Sequence, residues 1–242
     1  RLPYLQIKIA QLDENGHSVR ECNTDEIGVI LIKGPQVITG YVDDAHNQGA
    51  WIENEWLNTG DLARMDADGY IWHTGRAKDL IIRGGHNIDP VLIEEILYQA
   101  PGVELAAAVG QPDRRVGEVP VAFVQMQPGK TFDEEAIKAF VRDHIQERAA
   151  NPVAVHSLNE MPLTQVGKIF KPSLRTEAAR ILLQRELSAV AAGRGHIAVS
   201  VDAHSSYGTL ATISITGGDE DLVHIINDAV GGYPLRTAIV RS

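Results

Sequence analysis

Three charged residues stand directly after glycines in stretches that read as turns: Asp61 after Gly60, Arg76 after Gly75 and Lys168 after Gly167. A carboxylate on such a turn can accept hydrogen bonds from two neighbouring hydroxyls at once. Cations there can offset the charge of an anionic reactant. Taken singly, each residue also has an ordinary explanation. Aspartate caps turns, an arginine after a glycine turn is an everyday surface residue, and a lysine in a polar loop is usually solvated. Lys171 reads equally well as a solvated side chain at a helix N-terminus. Gly84-Gly85 suits a plain strand-to-helix turn or a place where a ligand approaches the backbone closely. Cys22 has no basic or triad-like neighbour in sequence and reads as a packed thiol.

The elements that must position these residues change character along the chain. Residues 1–74 read as β-rich: Ile7 and Ile9 alternate with Lys8 and Ala10, and a β-branched run spans Gly28 to Lys33. Leu62 to Met65 and Tyr70 to His73 flank Asp66-Ala67-Asp68-Gly69, a hairpin with a four-residue loop. From about residue 77, strands and helices alternate. Leu80 to Arg83 is a short strand, and Asp89-Pro90 caps and opens a helix expected to reach about Gln99. Val103 to Val109 and Val119 to Val124 are apolar strands. Ala136, Ile137, Phe140, Val141, His144 and Ile145 recur at helical spacing within 133–148. A loop from Met161 to Lys171 precedes a long helix over about Pro172 to Ala192. After Gly193-Arg194-Gly195 the pattern is β-β-α-β.

Composition narrows the function classes. A formal net charge of -10 speaks against nucleic-acid binding, which shows a basic stripe. Cys22 is the only cysteine among 242 residues, so no intrachain disulfide forms, and a reducing, cytoplasmic compartment is the simplest reading. The nine histidines do not pair with other ligand types at zinc spacings, and no metal site is expected from them. No apolar run approaches the ~20 residues that span a bilayer. The chain opens at Arg1 in a strand-like run, so it is expected to begin inside a larger protein.

Three clusters carry a resemblance: Trp56-Leu57-Asn58-Thr59-Gly60-Asp61-Leu62; Gly75-Arg76-Ala77-Lys78-Asp79 followed by Gly84 to Pro90; and Pro162 to Lys171, ending at Leu174-Arg175. Gly40-Tyr41 and Gly117-Glu118-Val119-Pro120 agree as lesser landmarks. In this order and at these separations they resemble the C-terminal part of the AMP-forming acyl-CoA synthetases, the adenylate-forming ligase superfamily, over roughly residues 1–190. The resemblance implies an α+β fold. Residues 1–75 would be the distal β-rich subdomain of the synthetase N-terminal domain, 76–192 the α/β C-terminal lid domain, and 196–242 a small β-β-α-β extension.

It also implies roles. Such enzymes join a carboxylic acid to the α-phosphate of ATP and then pass the acyl group from AMP to CoA. Asp61 would hold the ribose, and Arg76 would make a second ribose or phosphate contact. Lys168 would bridge the substrate carboxylate and the nucleotide, as a compact charge on a flexible stem. At ~4 Å and an effective dielectric of ~20 that contact is worth about 4 kcal/mol before desolvation. Lys78 matches the hinge about which the lid swings, and Gly84 and Gly85 would line the pantetheine tunnel. Many relatives carry glutamate where Leu92 stands, which reads as a packing change on the first helix.

The phosphate-cradling loop, the segment that binds AMP and Mg²⁺ and the acyl pocket are missing from these residues, so the chain alone is expected to be inactive. The rival readings are the adenylation domain of a peptide synthetase, a luciferase-like oxygenase and a non-catalytic module of the same fold. Ser205 and Ser206 are serines in the tail, but its β-rich pattern does not suit a four-helix carrier. The tail reads as a packing extension, or as a regulatory unit or a contact between subunits of a homo-oligomer, outside the chemistry in each case.

Overall fold

The computed structural model describes residues 3–13, 16–53, 55–204 and 208–241. By its internal contacts the chain divides into two units, Arg1–Asp79 and Leu80–Ser242. In the first unit β1 (Gln6–Leu12), β2 (Ser18–Glu21), β3 (Gly28–Lys33), β4 (Trp51–Ile52), β5 (Trp56–Met65) and β6 (Ile71–Arg76) form one antiparallel sheet. The order is β2-β1-β3-β5-β4, with β6 also pairing β5. Ala10, Leu31 and Ile52 are its buried centre, with Leu12, Val29 and Trp56 packed around them.

The second unit begins with β7 (Ile81–Arg83) and β8 (His86–Ile88), a hairpin, followed by α1 (Pro90–Leu97). Asp89 caps α1 by accepting from the Val91 N–H, and Pro90 takes the first turn, where its missing N–H costs nothing. The long pair β9 (Val103–Asp113) and β10 (Gly117–Met126) forms the sheet centre. From β10 the chain crosses through α2 (Glu134–His144) to β11 (Val155–Ser157), which pairs parallel to β10. Alternation explains the apolar runs of β9 and β10. Ala106, Ala108, Ala122 and Val124 face α1 and α2, whereas Ala107, Val109, Val121 and Phe123 face the other way.

That other face is covered by α3 (Lys171–Ala191) through Leu174 and Ala178. Farther along, Ala179, Leu183, Leu187 and Ala191 of α3 pack on the tail. The tail comprises β12 (His196–His204), β13 (Gly208–Thr216), α4 (Glu220–Val230) and β14 (Arg236–Arg241), in the expected β-β-α-β order. Its sheet runs β12-β13-β14, with the first pair antiparallel and the second parallel. Arg114 binds both the Glu186 carboxylate (2.7 Å) and the Ala229 carbonyl (2.6 Å), joining the β9–β10 turn to α3 and α4. Among the described residues no helix is long and apolar enough to cross a membrane.

Several element bounds differ from the sequence reading. Strands β9 and β10 run past their apolar centres into polar residues, because backbone pairing continues to Gly117↔Asp113. Helix α2 ends at His144, with Ile145 extended, and Arg148–Ala150 forms a separate 3-10 turn. The loop between β5 and β6 has five residues, since Met65 pairs with Ile71. Strands β2, β4, β8 and β11, two to four residues each, carry no periodic signal and were not anticipated. Leu92 is exposed on α1, so it is not a packing residue of that helix. Ser205 and Ser206 lie outside the described residues.

Candidate functional site

In the first unit the structure brings Asp61 and Arg76 together. The β3–β5 register runs from Val29↔Leu62 to Leu31↔Asn58, so Thr59, Gly60 and Asp61 oppose Ile30 alone and bulge from the sheet. Local hydrogen bonds hold the bulge. The Thr59 hydroxyl donates to the Ile30 carbonyl at 2.9 Å and accepts from the Asp61 N–H at 3.1 Å. The Asn58 side chain accepts from the Gly60 N–H at 2.9 Å. Gly60 sits at φ 69°, a conformation that strains residues bearing a Cβ. Bulges re-aim a side chain, and here the one re-aimed is Asp61.

Across the β5–β6 ladder Asp61 pairs with Arg76, whose Nε lies 3.0 Å from Asp61 Oδ1. Both side chains remain partly open to solvent. An ionised carboxylate offers about four acceptor positions, so the contact to Arg76 leaves room for a hydroxylated ligand. This mutual pairing was not visible in the sequence, where the two residues are separated by a hairpin. Beside the bulge, Asn58, Thr59 and Gly60 line a cleft of about 580 Å³ with Tyr41 and His46. The Asn47 amide holds Tyr41 at both its backbone N–H (2.7 Å) and its carbonyl (3.1 Å). In the sequence Asn58, Thr59 and Gly60 belong to the first motif cluster and Tyr41 is a landmark without a role, whereas nothing there marks His46 or Asn47.

Lys78 lies exposed in the 3-10 turn Ala77–Asp79, at the end of the first unit. Gly84 and Gly85 are the tip of the β7–β8 hairpin, closed by Arg83↔His86. Both have positive φ, 58° and 84°, as a two-residue turn of the primed type requires. They connect strand to strand, so the expected strand-to-helix turn is replaced by a hairpin that precedes α1.

Lys168 sits on a small closed loop, bridged at its base by Leu163↔Ile169. Thr164 grips the lysine's backbone twice: its N–H donates to the Lys168 carbonyl (2.7 Å), and its hydroxyl accepts from the Lys168 N–H (3.1 Å). Gly167, at φ 77°, permits the tight return. The Lys168 side chain is exposed and has no ion-pair partner among the described residues. Around it Leu163, Val166 and Phe170 are also exposed.

Lys171 behaves differently. Its ammonium lies 2.8 Å from Glu94 Oε1, with both side chains largely buried, so it is neither solvated nor available to a substrate. Glu94 also accepts from the Ala108 N–H at 2.8 Å. Burial pushes the Glu94 carboxyl above its ordinary value, while Lys171 and the Ala108 N–H oppose that shift. The Cys22 thiol is half-buried and donates to the Ile27 carbonyl; burial raises its pKa, which suits a packed thiol.

Residues 92–168 match the family model of the AMP-binding enzyme C-terminal domain, a segment that ends on Lys168. The marinolic acid–CoA ligase of Pseudoalteromonas sp. (strain SANK 73390) is 51% identical over 175 residues, which are 72% of this chain and 27% of that protein. The 2-succinylbenzoate–CoA ligase of Enterococcus faecalis is 35% identical over 184 residues, 75% of this chain and 36% of that protein. Among solved structures, ATP-bound MatB from Rhodopseudomonas palustris superposes with a TM-score of 0.67 at 30% identity, covering 74% of this chain and 35% of that one. The chain thus spans about a quarter to a third of the length of these relatives. Residues 92–168 thus carry the pattern of an AMP-binding enzyme C-terminal domain, and the chain is similar in sequence and in its α+β arrangement to adenylate-forming enzymes and acid–CoA ligases.

Proposed function

We propose that the chain is the C-terminal part of an AMP-forming acid–CoA ligase. In this reading residues 1–75 are the distal β-subdomain, 76–192 the lid domain and 196–242 an appended unit, all acting in a soluble, cytoplasmic enzyme. The division of the chain next to Lys78 supports that residue as the hinge. Asp61 accepts from the ribose hydroxyls of the nucleotide while Arg76 holds its other side and reaches ribose or phosphate. Lys168 offsets the charge between the substrate carboxylate and the α-phosphate as the acyl-adenylate forms. Gly84 and Gly85 let the pantetheine arm of CoA pass close to the backbone.

The observation that carries the reading is the Lys168 loop. Its backbone is locked by Thr164, and its side chain and apolar neighbours are uncovered. A fixed, uncovered cation ringed by apolar residues is suited to enter an anionic, water-poor site. ATP fits the paired Asp61 and Arg76. Mg²⁺ is a different matter. Among the described residues no group of three His, Cys, Asp or Glu side chains is arranged to hold a metal ion, and in this reading the Mg²⁺ ligands lie mostly in the part of the ligase upstream of these residues.

The test separates the two half-reactions in the longer ligase. Lys168→Ala is expected to depress ATP–pyrophosphate exchange by the equivalent of about 2.7–4 kcal/mol while sparing thioester formation from supplied acyl-adenylate. Equal losses in both steps would assign the lysine to structure instead.

A further inference from the structure

The β7–β8 hairpin that carries Gly84 and Gly85 has a narrow attachment to its sheet. Strand β7 meets β10 at a single backbone pair, Gly117↔Arg83. Besides the burial of Ile81 and Ile88, three hydrogen bonds hold it: the Gly84 N–H to the Val116 carbonyl (2.7 Å), Arg83 Nη1 to the Ala149 carbonyl (2.6 Å), and the Ile82 N–H to Glu118 Oε2 (3.0 Å). The last is the only one made by a carboxylate. It stands where a longer ladder would have continued through backbone carbonyls. Ile82 is itself 53% exposed, whereas its neighbour Ile81 is fully buried in the core with Ile88, so packing holds one face of β7 and leaves the Ile82 amide to the carboxylate.

Gly110 explains how the Glu118 carboxylate comes to be there. A Cβ built at Gly110 would lie 2.5 Å from Glu118 Oε2 and 2.6 Å from its Cδ. Gly110 is not in the left-handed region, so its lack of a side chain serves space and not backbone conformation. The absent side chain on β9 makes the room through which Glu118, on β10, reaches the edge of β7. Two residues on two strands thus converge on one backbone amide, two residues before the glycine turn.

We propose that Glu118 is a positioning residue for the Gly84–Gly85 turn, and that Gly110 is its seat. The assignment rests on the proposed ligase function for its consequence, because the turn matters most when CoA is the acceptor. It predicts that Glu118 governs the thioester-forming step and not adenylation, although its side chain touches neither substrate.

Two readouts keep the contact and its role apart. In the 242-residue chain, amide hydrogen exchange at Ile82 reads the contact alone. Glu118→Ala is expected to speed exchange there roughly ten-fold. Glu118→Gln, whose amide oxygen still accepts, should stay near the parent. Gly110→Ala should mimic Glu118→Ala, because only the flexible end of the Glu118 side chain needs to move. In the longer ligase, Glu118→Ala and Gly110→Ala should raise KM for CoA and slow thioester formation about ten-fold, with ATP–pyrophosphate exchange unchanged and Glu118→Gln restoring the parent behaviour. Unaltered Ile82 exchange in both Glu118→Ala and Gly110→Ala would overturn the anchor. Faster exchange with unaltered thioester formation would overturn the positioning role. A parent enzyme that forms acyl-adenylate but no thioester would overturn the role through the functional reading, while hydrogen exchange would still decide the contact.

Discussion

At its N-terminal end α3 follows a loop that leaves the Lys168 ammonium, Leu163, Val166 and Phe170 uncovered. Toward its C-terminal end Leu183, Leu187 and Ala191 are sealed under the tail. Glu186 is held there by Arg114 and by the Tyr233 hydroxyl at 2.5 Å. Both ends are well fixed in backbone terms, one by Thr164 and the other by helix packing. The difference therefore lies in what the side chains are given to do. At the sealed end charge and apolar surface stabilise the fold. At the open end they are withheld from it, which is the arrangement expected of a segment that meets a ligand or another surface.

Removing the tail tests the sealed end most severely. A chain ending at Ala192 re-exposes Leu183 and Leu187, each contributing about 1.5–3 kcal/mol by burial. Against a typical domain stability of about 5–15 kcal/mol, the second unit should lose a large share of its margin. The expected outcome is a melting temperature lower by roughly ten degrees or more or an insoluble product, with the number of subunits in light scattering unchanged for whatever remains folded. A truncated chain that melts like the parent would show that the tail does not support α3. A drop in the number of subunits would point to subunit contacts through the tail.

The lysine pair sharpens the comparison across the junction of the loop and α3. Lys171→Met leaves Glu94 without its partner in a largely buried setting and should cost about 3 kcal/mol in denaturant unfolding. Lys168→Met, only three residues away, should be neutral within about 0.5 kcal/mol. Equal stabilities for the two variants would erase the distinction between a structural and a withheld cation.

The smallest expected effect is a pH dependence at the sealed end. Burial and the Glu186 carboxylate push the Tyr233 hydroxyl up to about 12 from its ordinary 10.0. A pKa raised on folding means that the contribution is complete below about 10 and is lost as pH rises through about 12. Alkaline unfolding should therefore steepen across that window. Tyr233→Phe should remove the extra slope at a cost of about 1 kcal/mol at neutral pH. A parent and variant with parallel curves would show that the hydroxyl does not couple to folding.

Much of the fold was legible because local rules agree with the tertiary outcome. Asp89-Pro90 announces α1 through its cap, and the tail's order is readable because its strands and helix alternate cleanly. The short strands β8 and β11 were not legible. Three residues carry too little periodicity, and each exists because a neighbouring edge supplies hydrogen bonds. The site shows the same split. Asp61, Arg76 and Lys168 were marked by residue type, by adjacent glycines and by a family resemblance, but nothing local marked Lys171 as the buried partner of Glu94.

What the amino-acid sequence determined by itself was therefore the inventory: which glycines permit tight turns, which runs must be buried, and which charged residues stand on loops. Local chemistry acts over a few residues, so it is written in the local sequence. Only the tertiary structure decided how the charges are used. It paired Asp61 with Arg76 across a hairpin, gave Lys171 to Glu94, left Lys168 unpaired among the described residues, and set Glu118 against Gly110 beneath the Ile82 amide. Those outcomes depend on register and on which strands become neighbours, and pairing energies at a distance along the chain leave no mark on the local pattern.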